Sequence, residues 1–232
     1  MYTHISRRAA DRYFSVAGNY GGCFLAFLTI NRIRRLTFLD FTVLDEVRFD
    51  SRATFPSLAV ASTSMIFLGL GGWLWWLTSG LGDVRTVLIK SMLMGSFFSL
   101  ALWLCWLVVA YLILKRYTEK PINAEELIRS AGIAASPLAL GIFMVIPHIS
   151  FGIGILTIAA WVLTTNEAIE RVSGITGRPV LLANLAGFSL WAICMSILAT
   201  STNQIAPGPF LAESIWEAIA VFDYGNVILE GH

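Results

Sequence analysis

The amino-acid sequence predicts an all-α, polytopic membrane helix bundle of about five transmembrane helices, N-terminus inside and C-terminus outside, with an amphipathic segment at each end. Three observations predict it. Hydrophobic residues make up 56% of the 232 residues and charged residues only 13%, where a soluble domain carries roughly 25% charged residues. Uncharged apolar runs long enough to cross a bilayer, about 20 residues, recur along the chain. Lysines and arginines gather in alternate loops, which orients the bundle.

The elements follow in order. Residues 1–52 read as a cytoplasmic amphipathic region, 53–205 as the membrane domain and 206–232 as an acidic extracytoplasmic tail. From Ala53 to Gly82 no residue is charged, and the first span is expected at about Phe55 to Thr78. Trp73, Trp75 and Trp76 cluster at its far end, where indoles favour the interface. The second span runs from about Val87 to Leu114, and its one charge, Lys90, can snorkel outward. Lys115, Arg116 and Lys120 mark an inner turn. Asn123 with Glu126 reads as a capping box at the start of the next helix. From Ser130 to Asn166 no Asp, Glu, Lys or Arg occurs; that is too long for one span. Pro147 divides it, because proline breaks the helical hydrogen-bond ladder. The reading is a hairpin of two spans, about Ala124 to Ile146 and Ile149 to Ala168. Glu167, Glu170, Arg171 and Arg178 mark a second inner loop, with Gly174 and Gly177 as its turn residues. The fifth span runs from about Pro179 to Thr200.

Eight basic residues, Arg7, Arg8, Arg12, Arg32, Arg34, Arg35, Arg48 and Arg52, precede the first span. Lys115, Arg116, Lys120 and Arg129 flank the second-to-third connection, and Arg171 and Arg178 the fourth-to-fifth. Only Arg85 and Lys90 lie on the opposite side, and the tail holds Glu213, Glu217, Asp223 and Glu230. The positive-inside rule is obeyed throughout with the N-terminus inside and the C-terminus outside, and the cell inner membrane is the expected location. Leu36 to Phe49, preceded by Arg32, Arg34 and Arg35, is expected to lie as a helix on the inner membrane surface. Tyr13 to Ile30 is too short in apolar length to span and reads as interfacial or partner-packed. In the tail, Phe210, Ile215, Ile219 and Phe222 recur at helical spacing. Ser6-Arg7-Arg8 and Tyr20-Gly21-Gly22-Cys23 lack the flanking apolar runs of targeting signals, so an uncleaved N-terminal region is expected.

Chemistry is sparse. No H-E-x-x-H, G-x-S-x-G or phosphate-loop motif occurs. His4, His148 and His232 do not converge as a zinc site; His148, in the outer turn, could reach a chlorophyll or haem, the plainer reading being an interfacial turn residue. Cys23, Cys105 and Cys194 have no C-x-x-C spacing. The span interiors lack Asp and Glu, which argues against a proton-coupled transporter. Glu167 and Arg171, four apart, read as an intrahelical pair at the membrane boundary, a proton relay being the sharper alternative. No cofactor, metal or nucleic-acid partner is expected. What the spans have is small residues: Gly69, Gly71, Gly72, Gly95, Ser96, Ser99, Gly132, Ala135, Ser136, Gly152, Gly154 and Gly187. Such residues let helix backbones approach closely in lipid.

Leu44-Asp45-Glu46-Val47-Arg48-Phe49-Asp50-Ser51-Arg52-Ala53-Thr54, leading into a glycine-rich span, resembles the juxtamembrane segment of bacterial Yip-domain proteins. These are relatives of the eukaryotic Ypt/Rab-interacting membrane proteins. Gly132-Ile133-Ala134-Ala135-Ser136-Pro137 is similar to the family's glycine-to-proline stretch, with Ile146-Pro147 and Ala160-Trp161 following. The resemblance covers roughly Leu36 to Thr200. It implies five spans, a cytoplasmic N-terminus and no enzymatic activity, and in eukaryotes small-GTPase partners in vesicle traffic. The expectation is a non-catalytic scaffold or adaptor that binds membrane lipids and other integral membrane proteins. One form of it is an accessory subunit of a respiratory or photosynthetic complex. The alternative is a small permease or channel, with Ser64, Ser91, Ser99, Thr157, Thr164, Thr165, Asn184 and Ser196 as candidate path-lining residues. Gly132, Ser136, Pro137, Pro147 and Trp161 are the candidate packing and partner residues; none is expected to be catalytic.

Overall fold

The computed structural model describes residues 21–79, 84–118 and 122–201. The acidic tail, residues 1–20 and Lys120 lie outside the described residues, and so do the expectations made for them. The chain falls into two compact units, Met1–Val43 and Leu44–His232. The sequence reading places a boundary at 52/53, and residues from Leu44 onward belong to the same compact unit as the spans.

In the first unit, helix α1 spans Gly21–Thr37. It cuts the single helix expected over Leu36 to Phe49. The helix stops because Leu39 turns left-handed, with φ 61°. The Asp40 N–H donates to the Arg35 carbonyl at 3.1 Å and the Leu39 N–H to the Leu36 carbonyl at 2.9 Å, which is the Schellman pattern. Glycine usually occupies this position; an L-residue there costs roughly 1–2 kcal/mol. The turn is braced by side chains. Arg35 Nε donates to Asp40 Oδ2 at 2.8 Å and Arg35 Nη2 to Thr42 Oγ1 at 3.0 Å. Thr42 in turn donates its hydroxyl to Asp40 Oδ1 at 2.6 Å. Helix α2 (Thr42–Phe49) follows.

Among its described residues the second unit holds five helices long and apolar enough to cross a membrane: Ser51–Thr78, Leu88–Leu114, Ala124–Val145, Ser150–Ser173 and Arg178–Leu198. These are the first to fifth spans. They match the expected positions closely, except that the fourth continues beyond Ala168 to Ser173. Charge does not end a helix; Gly174 does, with φ 67°. The chain is a multi-pass membrane protein of the all-α bundle class.

The spans pack as a closed ring in the order first, third, fourth, fifth, second. Two of them leave the α-helical path. The second opens as a π-helix over Leu88–Gly95 before Ser96–Leu114. The third is α-helical over Ala124–Ala134 and then 3-10 over Ser136–Val145. Pro137 accounts for that change. It has no N–H to give and its ring collides with the carbonyl four residues back, so the ladder shifts to three-residue bonds such as Leu138 N–H to the Ala135 carbonyl, 3.1 Å. A 3-10 helix has three residues per turn, so Leu138, Gly141 and Met144 fall in line, and all three are buried. The span ends at Ile146, which is extended (φ −85°, ψ 105°), as a residue before proline must be. A 3-10 turn, Pro147–Ile149, completes the tight hairpin.

Candidate functional site

Two packing seams and one ion-pair cluster hold the residues singled out from the sequence. The first seam joins the first and third spans. A Cβ on Gly132 would lie 2.7 Å from the Ser57 carbonyl oxygen, and one on Gly71 would lie 2.0 Å from that of Gly141. Backbone touches backbone here, so any side chain would push the spans apart. Ser136 is buried at the start of the 3-10 segment and Pro137 half-buried beside it. Thr164 Oγ1 donates to the Ala134 carbonyl at 2.7 Å, tying the fourth span to the same region. On the other flank of the first span, Ser96 Oγ donates to the Met65 carbonyl at 3.1 Å. A Cβ on Gly69 would come within 2.8 Å of that hydroxyl.

The second seam is aromatic. Trp161 is fully buried. Its ring meets Trp106 edge-on at 4.8 Å and Trp191 edge-on at 5.1 Å, and Phe188 lies 5.6 Å from Trp106. The second, fourth and fifth spans therefore share one aromatic cluster, and such pairs add about 0.5–1.5 kcal/mol each beyond area burial. Trp191 Nε1 donates to Ser99 Oγ at 3.2 Å. Gly187 makes room for the cluster, since a Cβ there would sit 1.9 Å from Trp106 Cδ1. The five candidate residues thus do not form one site. Gly132, Ser136 and Pro137 lie on the third span, Pro147 at its outer turn, and Trp161 in the aromatic cluster.

The ion-pair cluster lies where α2 meets the ends of the third and fourth spans. Arg171 Nε donates to Glu167 Oε1 at 2.7 Å, the intrahelical pair read from the sequence. The structure adds Asp45, which accepts from Arg171 Nη1. Arg48 joins Glu126 and donates to the Arg171 carbonyl. That carbonyl is one of the last four of its helix and has no intrahelical donor. Arg48 thus caps the fourth span with a cation, the favoured sign at a helix C-terminus. The Ser130 hydroxyl donates to the Leu44 carbonyl at 3.3 Å, and Leu44 and Val47 are fully buried. The expected capping box is altered: Asn123 Oδ1 accepts from the Glu125 N–H at 2.9 Å, but Glu126 turns to Arg48 and to Asn123 Nδ2. Sequence reasoning missed Asp45 and Arg48 as partners of the spans, because their spacing along the chain gives no sign of it. Trp106, Trp191 and Gly141 were missed too. The three-residue spacing of Leu138, Gly141 and Met144 was a usable signal for Gly141.

Among the described residues no three His, Cys, Asp or Glu side chains gather as a metal site. Comparison with protein-family models, with curated proteins and with solved structures finds no match.

Proposed function

We propose that the chain is a non-catalytic membrane scaffold or adaptor, a Yip-like bundle whose partners are other integral membrane proteins. In this reading α2 presents a docking platform on the inner side. A subunit role in a respiratory or photosynthetic assembly belongs to the same reading. One observation carries it: several polar side chains of the spans bond from one helix to the next. Ser64, Ser91, Ser99, Thr157, Thr164, Thr165 and Asn184 are all buried. Ser99 accepts from Trp191, Thr164 donates to the Ala134 carbonyl, and Asn184 donates to the Val162 carbonyl at 3.0 Å. Hydroxyls and amides engaged in this way hold helices together, whereas a permease needs such groups turned to water. The ion-pair cluster supports the same reading, because Asp45 and Arg48 link α2 to the third and fourth spans.

The test is purification of the tagged native protein in mild detergent, with mass spectrometry of what accompanies it. Stoichiometric membrane-protein partners are expected. A lone, monodisperse protein that conducts solutes in liposomes would replace the scaffold reading with the permease.

A further inference from the structure

The first unit carries an exposed apolar face that the bundle's packing does not explain. On α1, Phe27 is 71% exposed and Ile30 65%, and in the turn that ends it Phe38 is 79% and Leu39 71% exposed. Phe27, Ile30, Arg34 and Phe38 follow one another at intervals of three, four and four, which places them on one face of a helix. Phe38 still belongs to the last turn, its N–H donating to the Arg34 carbonyl at 3.3 Å. Arg34 is exposed, with an apolar residue four positions away on either side.

Leu39 adds a second, independent observation. It takes the left-handed conformation at a position that glycine would occupy without strain. Arg35, Asp40 and Thr42 are linked side chain to side chain around it. Strain held in place by surrounding bonds points to a use for the strained residue. The effect of leucine here is to extend the apolar face past the helix end, at an elbow whose shape is fixed.

We infer that the Phe27–Ile30–Phe38–Leu39 face is a wedge that inserts into the interfacial region of the bilayer, with Arg34 reaching the anionic headgroups. Charge and connectivity select the bilayer as occupant. An exposed arginine in the middle of an apolar stripe suits a bilayer, where its stem stays among acyl chains while the guanidinium reaches phosphate; a protein groove would have to supply a matching carboxylate. Leu39 also lies only twelve residues ahead of Ser51, where the first span begins. The covalent tether therefore keeps the elbow near the membrane.

The test uses the full chain with Cys23, Cys105 and Cys194 replaced by serine. It is spin-labelled at Phe27→Cys, Ile30→Cys or Phe38→Cys and reconstituted in nanodiscs of phosphatidylcholine with phosphatidylglycerol. Power saturation is read with oxygen, which concentrates in lipid, and with a water-soluble nickel chelate. Oxygen accessibility exceeding nickel accessibility at all three sites is expected, with the excess falling in phosphatidylcholine alone and in Arg34→Gln. Nickel accessibility at all three sites would overturn the proposal by placing the face in water. Inaccessibility to both reagents would overturn it by placing a protein partner there. A depth unchanged by lipid charge and by Arg34→Gln would overturn the assignment of Arg34 to headgroups.

Discussion

Replacing Gly71 by alanine tests a close backbone approach between the first and third spans. The added Cβ would lie 2.0 Å from the Gly141 carbonyl oxygen, 2.7 Å from its carbon and 3.0 Å from the Ile142 Cα, whereas ordinary contact begins at 3.4 Å. The shortfall against the oxygen is 1.4 Å, and every atom met is backbone, so no rotamer change relieves it. The first and third spans must part along the seam, loosening Leu68, which packs on Gly141, and the line of Leu138 and Met144. Overpacking a well-filled interior costs typically 1–3 kcal/mol, and the absence of any movable neighbour puts this substitution at the upper end. Gly152→Ala is the matched control: nothing lies within 4 Å of its added Cβ, and alanine is the better helix former by roughly 1 kcal/mol. The assay is reversible denaturation in mixed micelles followed by near-ultraviolet circular dichroism, with both variants beside the parent. Loss of about 2–3 kcal/mol in Gly71→Ala, against no loss or a small gain in Gly152→Ala, is expected. Equal stability of the two variants would refute the backbone-contact argument.

Four further outcomes follow from the same geometry. Gly187→Ala drives a Cβ into the Trp106 ring at 1.9 Å; destabilisation by about 1–3 kcal/mol and a shifted tryptophan emission are expected, and an unchanged spectrum would count against the aromatic seam. Gly132→Leu forces the third span off Ser57, so size-exclusion chromatography should show loss of the folded monodisperse species; a normal profile would remove Gly132 from the packing role. A double-mutant cycle on Asp45→Ala and Arg171→Ala should give a coupling of at most about 1 kcal/mol, because the side chains are 42% and 27% exposed and solvent screens them; additive effects would mean that the pair does not hold α2. The Asp40 carboxyl sits below its ordinary value of 3.8 because Thr42 and then Arg35 donate hydrogen bonds to it. A lowered folded-state value means that the contribution of these bonds to the turn is fully present above the ordinary value and is lost as pH falls through the lowered one. A spin label at Thr37→Cys whose mobility rises already between about pH 7 and 5 would contradict this.

Much of the architecture was legible because the bilayer imposes simple rules. Length of apolar run, absence of charge and alternation of basic loops placed all five spans within a few residues except at the end of the fourth. Pro147 marked the hairpin because its chemistry is local, and Gly174 and Gly177, with φ of 67° and 82°, were legible as turn residues for the same reason. The exchange of α-helix for 3-10 after Pro137 was less visible: proline announces a break, but the geometry that follows depends on the first span pressing against Gly141. The left-handed Leu39 was invisible, since leucine is a helix former and the cap that holds it comes from Arg35, Asp40 and Thr42 together. Asp45 and Arg48 were readable as polar residues of an amphipathic helix, but the partners they find, Arg171 and Glu126, are set by tertiary contact. The candidate residues Gly132 and Trp161 carried a packing signal in their type; which span each meets did not follow from it.

The 3-10 stretch of the third span also sets a distance. Ten residues, Ser136–Val145, advance about 2.0 Å each in a 3-10 helix against about 1.5 Å in an α-helix. The segment therefore covers roughly 20 Å where an α-helix would cover roughly 15 Å. The difference of about 5 Å matches the spread in hydrocarbon thickness between thin and thick cellular membranes. The tighter winding lengthens the span beyond what its residue count implies, and the turn at Pro147 stands correspondingly further from the helix start at Ala124.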